Sequence, residues 1–257
     1  MKTRLAIVAA LAAAAALWCL PVTAQETHSL RRVYKAGETD RYRLTMRLER
    51  GEVKLDLTLQ MTETTKEARP DGSSVIELSM DSGEMTLNGT EVPIPNIGQK
   101  MTFRVDKDGK PIKDEQPADP DSPLATIMAL ARSSSMPDRP VKVGETIKVE
   151  VPVEGGRDRK LVAQFTLVGT EKRSAEVPMD TLKVKTAIEG LVPTPDGDQN
   201  LKIDATSLYE PGTGKVVRVE GTVSGFRLSQ LGPEPAKLSF KRVRLPAEAP
   251  AQASDAK

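Results

Sequence analysis

Along most of this chain, apolar and polar residues change places at every step. In 42–48, Tyr42, Leu44, Met46 and Leu48 fall on one side of an extended backbone, and Arg43, Thr45 and Arg47 on the other. In 53–61, Val53, Leu55, Leu57, Leu59 and Met61 alternate with Lys54, Asp56, Thr58 and Gln60. A period of two marks a half-buried strand, because successive side chains of a pleated backbone leave on opposite faces. Glu49-Arg50-Gly51-Glu52 between the two runs predicts an antiparallel hairpin. Further strands are predicted near 74–80, 84–87, 100–105, 146–153, 161–168, 181–189, 200–209, 215–223 and 236–244, about eleven in all. Regular alternation suits antiparallel sheets with one wet face, whereas parallel α/β strands read as continuous apolar runs. The expected class is mainly β, as a curved sheet or half-barrel or as two tandem β units.

One segment departs from this pattern. Ser122-Pro123 supplies an N-cap and a proline for the first helical position, and Leu124, Ile127, Met128 and Ala131 recur at helical spacing, which predicts a short helix near 122–134. A proline-stiffened connector, Met136-Pro-Asp-Arg-Pro140, follows it.

Two landmarks occur twice. Lys35-Ala-Gly-Glu-Thr39 returns 107 residues later as Lys142-Val-Gly-Glu-Thr146, and Gly109-Lys110 returns 105 residues later as Gly214-Lys215. Near-constant spacing predicts an internal duplication, with a first β half over 25–135 and a second over 136–245. In both copies of Lys-x-Gly-Glu-Thr the glycine allows a positive φ or a tight turn at the strand entrance, which is a structural role. The functional alternative pairs Glu38 with Glu145 as two carboxylates. The tail 246–257, rich in Pro and Ala, holds too little apolar area to offset its ordering entropy and is expected to be disordered.

Residues 1–24 read as a secretory signal peptide: Lys2 and Arg4 at the head, an apolar stretch from Leu5 to Leu20, and Val22-Thr23-Ala24 as the cleavage site. Cys19 follows Trp18, not the small residue that a lipoprotein signal places there, so lipid anchoring is not expected. The predicted location is periplasmic or secreted, with no membrane span after cleavage. Cleavage leaves 35 basic residues against 36 acidic ones, so no basic excess points to nucleic acid or to an anionic membrane surface. Aromatic residues make up 3% of the chain. That scarcity argues against base-stacking platforms and aromatic interface anchors.

His28 is the one histidine and Cys19 the one cysteine. Serine–histidine and cysteine–histidine catalysis, histidine zinc sites and thiol redox chemistry therefore lack their residues, while routes using carboxylates, Ser and Lys stay open. Asp106-Lys-Asp108-Gly109 and Asp196-Gly197-Asp198 do not complete a calcium loop and read as hairpin turns, as does Asn88-Gly89. Phosphate-binding glycine motifs are absent from the sequence, and no metal or cofactor is expected.

Tyr34-Lys-Ala-Gly-Glu-Thr39 and Met136-Pro-Asp-Arg-Pro-Val-Lys-Val-Gly-Glu-Thr146 resemble a pattern in uncharacterised bacterial secreted proteins of the domain-of-unknown-function type, in which Pro-Val-x-x-Gly-Asp/Glu-Thr/Ser opens the second half. Where members of that family often carry tryptophan, this chain has Ile147. The resemblance implies an envelope location and no known activity. The architecture is also similar to that of the periplasmic lipoprotein carriers, whose curved half-barrel shields acyl chains, although no residue motif ties the two together.

A curved sheet with an apolar inner face needs a ligand, a lid or a second sheet. The leading expectation is a non-catalytic envelope protein holding a lipid or another apolar ligand, with Tyr42, Leu44, Leu55, Leu57, Leu124, Ile127 and Met128 as contacts. The plainer role for the same residues is ordinary core. A structural or protein-interaction module of the envelope, and an enzyme working through carboxylates, are the other readings.

Overall fold

A computed structural model describes residues 26–94, 97–107, 109, 112, 139–152, 160–194, 197–227 and 234–246. The predicted signal peptide, the predicted helix with Leu124, Ile127 and Met128, and most of the tail lie outside the described residues.

The alternating runs form strands as expected. The first hairpin is β2 (Thr39–Arg50) and β3 (Val53–Ala68), preceded by a two-residue β1 (Thr27–His28). β4 (Ser74–Leu87), β5 (Thr90–Glu91) and β6 (Lys100–Val105) complete the first half. The second half holds β7 (Val141–Lys142), β8 (Thr146–Pro152), β9 (Lys160–Glu171), β10 (Thr181–Thr194), β11 (Gly197–Tyr209), β12 (Val216–Arg227) and β13 (Pro235–Arg244). Residues 74–80 and 84–87 belong to one continuous strand. A bulge, at which the pairing Gln60↔Ser82 is followed by Met61↔Met80, keeps β4 in its sheet, and the Thr62 hydroxyl donates to the displaced Asp81 at 2.6 Å.

Eleven strands make one antiparallel sheet in the order β5-β4-β3-β2-β13-β12-β11-β10-β9-β8, with β6 also on β4. The sheet is open: β8 lies at one end of this path, and β5 and β6 lie beyond β4 at the other. β1 and β7 form a separate two-stranded ribbon. Asn88 and Gly89 both take positive φ, 50° and 82°, as a two-residue hairpin requires between Leu87 and Thr90. No helix occurs among the described residues, and hence none long and apolar enough to cross a membrane.

The core is the inner face of the sheet. One contiguous apolar cluster draws on β2, β3 and β4, on β9 through β13, and on Leu30 and Val141 outside the main sheet. Burying each large aliphatic side chain contributes about 1.5–3 kcal/mol. A second, smaller cluster joins Val177 and Met179 of the β9–β10 loop to Leu208 of β11 and Val217 of β12.

Candidate functional site

Cross-strand register lines the inner residues up in rungs, because directly paired residues share a face. One rung runs Val149, Ala163, Ile188, Ile203, Val223, Leu238, Leu48, Leu55 and Leu87, crossing nine strands without a polar side chain. Burial changes along it. Ala163 and Val223 are 0% exposed and Leu48 is 8%, Leu55 is half-buried, and Leu87 is 37% exposed. The next rung runs Ile147, Phe165, Thr186, Ala205, Gly221, Phe240, Met46, Leu57 and Met85. Its middle is built from small residues because β11 and β12 crowd there. A Cβ on Gly221 would lie 2.4 Å from the Asp204 carbonyl oxygen and 2.8 Å from the Ala205 Cβ.

The sequence-predicted contacts therefore divide. Tyr42 and Leu44 are buried within the core cluster, while Leu55 and Leu57 are half-buried and pack against its edge. All four sit on the same inner face, on the paired strands β2 and β3. Leu124, Ile127 and Met128 lie outside the described residues.

Sequence reasoning missed the other end of this face, where inward positions turn from apolar to charged. Asp40 precedes Tyr42 in phase on β2, and Glu63 pairs with it from β3. Arg242 and Arg244 follow Leu238 and Phe240 in phase on β13 and pair with Leu44 and Tyr42. The Arg242 guanidinium lies 3.6 Å from the Tyr42 ring centroid and donates to Glu63 Oε2 at 3.1 Å. Arg244 donates to Glu210 at 2.7 Å. Lys215, after the β11–β12 turn, reaches Asp40 at 3.0 Å and also contacts Glu38. Arg32 donates to Asp40 at 3.1 Å, lies 3.6 Å from Glu38 and stands 5.1 Å from the Tyr34 ring centroid.

Four cations thus meet four carboxylates. Burial alone would push the Asp40 carboxyl up, but the hydrogen bonds and charges of Lys215 and Arg32 hold it below its usual range. Burial pushes the Tyr34 hydroxyl up to about 12 and raises that of Tyr42 as well. The balance of signs makes the cluster an internal lock, in which each of these eight groups meets an opposite charge of the same cluster. A cleft of about 540 Å³ opens beside it, lined in part by Asp40, Lys215, Glu210, Arg244, Met179 and Pro178.

The segment before β2 crosses this charged end. Val33 donates to the Thr213 carbonyl at 2.8 Å, Arg31 Nε to the Lys107 carbonyl at 3.0 Å, and Gly37 to the Thr65 carbonyl at 2.8 Å. Residues 26–38 therefore form a strap from the β1–β7 ribbon, past the β11–β12 turn, to β3.

The two Lys-x-Gly-Glu-Thr copies have the same backbone. Gly37 and Gly144 take φ of 79° and 85°. Glu38 donates to the Lys35 carbonyl at 3.1 Å and Glu145 to the Lys142 carbonyl at 3.0 Å, the bond of a four-residue turn with glycine third. Each glycine then donates across, to Thr65 and Leu167, and each threonine faces another: Thr39 with Thr64, Thr146 with Thr166. The two glutamates are engaged separately. Glu38 joins Lys215, whereas Glu145 accepts from Arg139 at 2.5 Å and from its own turn's Lys142 amide at 2.9 Å, contacts that hold its pKa below the usual carboxylate range.

No family model matches the chain, and no curated protein matches it. Among solved structures, a structure of lipovitellin described for its lipid–protein interactions is 11% identical with a TM-score of 0.41, over 85% of this chain and 26% of that one. This chain thus spans 26% of the length of that protein. A Nitrosomonas europaea crystal structure described as a candidate AttH is 10% identical with a TM-score of 0.17, over 80% of this chain and 74% of that one. Both TM-scores fall below 0.5.

Proposed function

We propose that this is a non-catalytic exported envelope protein, periplasmic or secreted, that holds a lipid chain or similar apolar ligand against the inner face of its sheet at the β2–β6 side. The observation that carries this reading is the unbroken apolar rung from Val149 to Leu87, which is half-buried at Val149, buried from Ala163 to Leu48, and uncovered most at Leu55 and Leu87. The least covered stretch of an otherwise apolar rung, here the one that ends on Leu87 at 37% exposure, is where an apolar guest gains most by arriving. The lining there supports a guest of variable shape. Met46, Met61, Met80, Met85 and Met101 share that side of the sheet, and methionine adapts to irregular partners at little cost.

Native mass spectrometry of protein purified from an exporting host tests this. Adducts in the mass range of lipids, lost on delipidation and regained from vesicles, are expected. A clean apo mass together with no uptake from vesicles would sink the reading. An interaction module would show instead a stoichiometric protein partner in the same spectra.

A further inference from the structure

We infer that residues 26–38 are a separately releasable gate over the charged end of the sheet, held shut chiefly by side-chain ion pairs. Its purpose as a gate rests on the ligand reading above; its release does not.

The strap has few backbone ties. They comprise the two residue pairs of β1 with β7, the Val143 amide to Glu26, the Val33 and Gly37 amides to Thr213 and Thr65, and the Thr65 amide to the Glu38 carbonyl. The strands it crosses are bound far more extensively, with thirteen registered pairs between β10 and β11 alone. Side chains supply what the backbone lacks. Leu30 is 2% exposed and anchors the strap in the core, and Arg32 and Glu38 bind it to Asp40 and Lys215. Segments with few backbone bonds and a handful of anchors open at lower free energy than the sheet they cover. Arg32 and Tyr34 of the strap lie close to Asp40, Glu63 and the buried Tyr42, so opening exposes the Asp40–Tyr42 end of the inner face, opposite Leu55 and Leu87 along the strands.

The strap also has a steric key. A Cβ on Gly214 would lie 2.2 Å from the Arg31 carbonyl oxygen. The close crossing is possible because the turn carries glycine there.

Hydrogen exchange on the full mature chain, read by mass spectrometry, compares peptides within 26–38 with peptides within 182–209. The wild-type strap should exchange at least about 100-fold faster than those strands. Lys215→Met should accelerate the strap by a further tenfold or more and leave the strands unchanged; this is less than the roughly hundredfold or more of a fully unpaired buried charge, because Arg32 still meets Asp40. Gly214→Ala should do the same without altering a charge, and serves if Lys215→Met does not fold. Strap and strands exchanging at one rate, or both variants leaving the strap as protected as in the wild type, would overturn release. The gate is read separately, as the association rate of dansyl-undecanoic acid. A rate raised about tenfold in a strap-released variant is expected, since a closed gate lowers the competent fraction. Equal rates with an open strap would refute gating and leave the ligand reading standing. No binding to any form would refute the ligand reading and gating together, and leave strap release intact.

Discussion

Strands β2, β3, β4 and β6 and strands β8, β9, β10 and β11 are two meanders with one plan. Each opens on the same Gly-Glu-Thr turn and pairs its threonine across to a threonine, and each carries a positive-φ glycine after its fourth strand, Gly109 or Gly214. We read them as products of a duplication on these grounds. Aligning the threonine pairs brings out the difference. Asp40 and Glu63 in the first unit occupy the places of Ile147 and Phe165 in the second. A single register therefore carries an inward carboxylate pair in one copy and an apolar pair in the other. The backbone plan does not dictate what faces inward; the neighbours do. In the first unit the strap and β13 bring Arg32, Arg242 and Arg244 to meet the carboxylates, and in the second Phe165 is 2% exposed within the apolar cluster.

The sharpest way to break this comparison is to move the first unit's residue into the second. Phe165→Glu would bury a carboxylate at a position 2% exposed within the apolar cluster. The loss should reach at least about 4 kcal/mol, as burial of an unpaired charge does. Urea unfolding followed by circular dichroism would show it, and a variant as stable as the wild type would mean that the inner face at β9 is wet. The reverse exchange, Glu63→Phe, removes a partner from Arg242 and Arg32 at a site that is partly open. It should cost about 1.5–3 kcal/mol, the value of a hydrogen bond to a charged group.

Next in size is the shared turn. A Cβ added at Gly37 or at Gly144 would meet nothing within 4 Å, so alanine brings no clash there and pays only for the left-handed backbone. Gly37→Ala and Gly144→Ala should each cost about 1–2 kcal/mol. Because the two turns make the same bonds, the two losses should agree to within about 0.5 kcal/mol. Unequal losses would show that the turns differ in a way that their hydrogen bonds do not express.

Most of the sheet was legible because alternation reports which side of a strand is buried, and Leu44, Met46, Leu57 and Leu59 obey it without exception. The ribbon of β1 and β7 was not legible, since two residues are too few for a period. The charged end was missed for a different reason. Asp40, Arg242 and Arg244 look like ordinary surface charges when each is read locally, and their partners are far away along the chain. A signal was nonetheless present: all three stand in phase with the apolar residues of their own strands, where an inward charge demands a partner. The family resemblance rested on the turn motif, and that motif proved to encode a strand entrance that any β unit could use.

The smallest effect expected concerns pH. Asp40 is held below its usual pKa by Lys215 and Arg32, with Arg244 3.8 Å away, and Ile147 has no counterpart to this. Its folded value lies under its unfolded value, so between the two the unfolded chain binds more protons. The stability that Asp40 contributes is therefore complete above the ordinary carboxylate range, near pH 4, and is lost as pH falls through the lowered value. Unfolding in urea at pH 5 and pH 3 should show the wild type losing more stability than Asp40→Asn, which has no proton to gain at that position. The protection of the strap, its exchange rate divided into the intrinsic rate at each pH, should fall along the same acid limb, because Asp40 is the carboxylate to which Arg32 donates. If the wild type and Asp40→Asn lose stability in parallel, the acid-sensitive groups lie elsewhere, and the first unit's inward charge does not hold the strap.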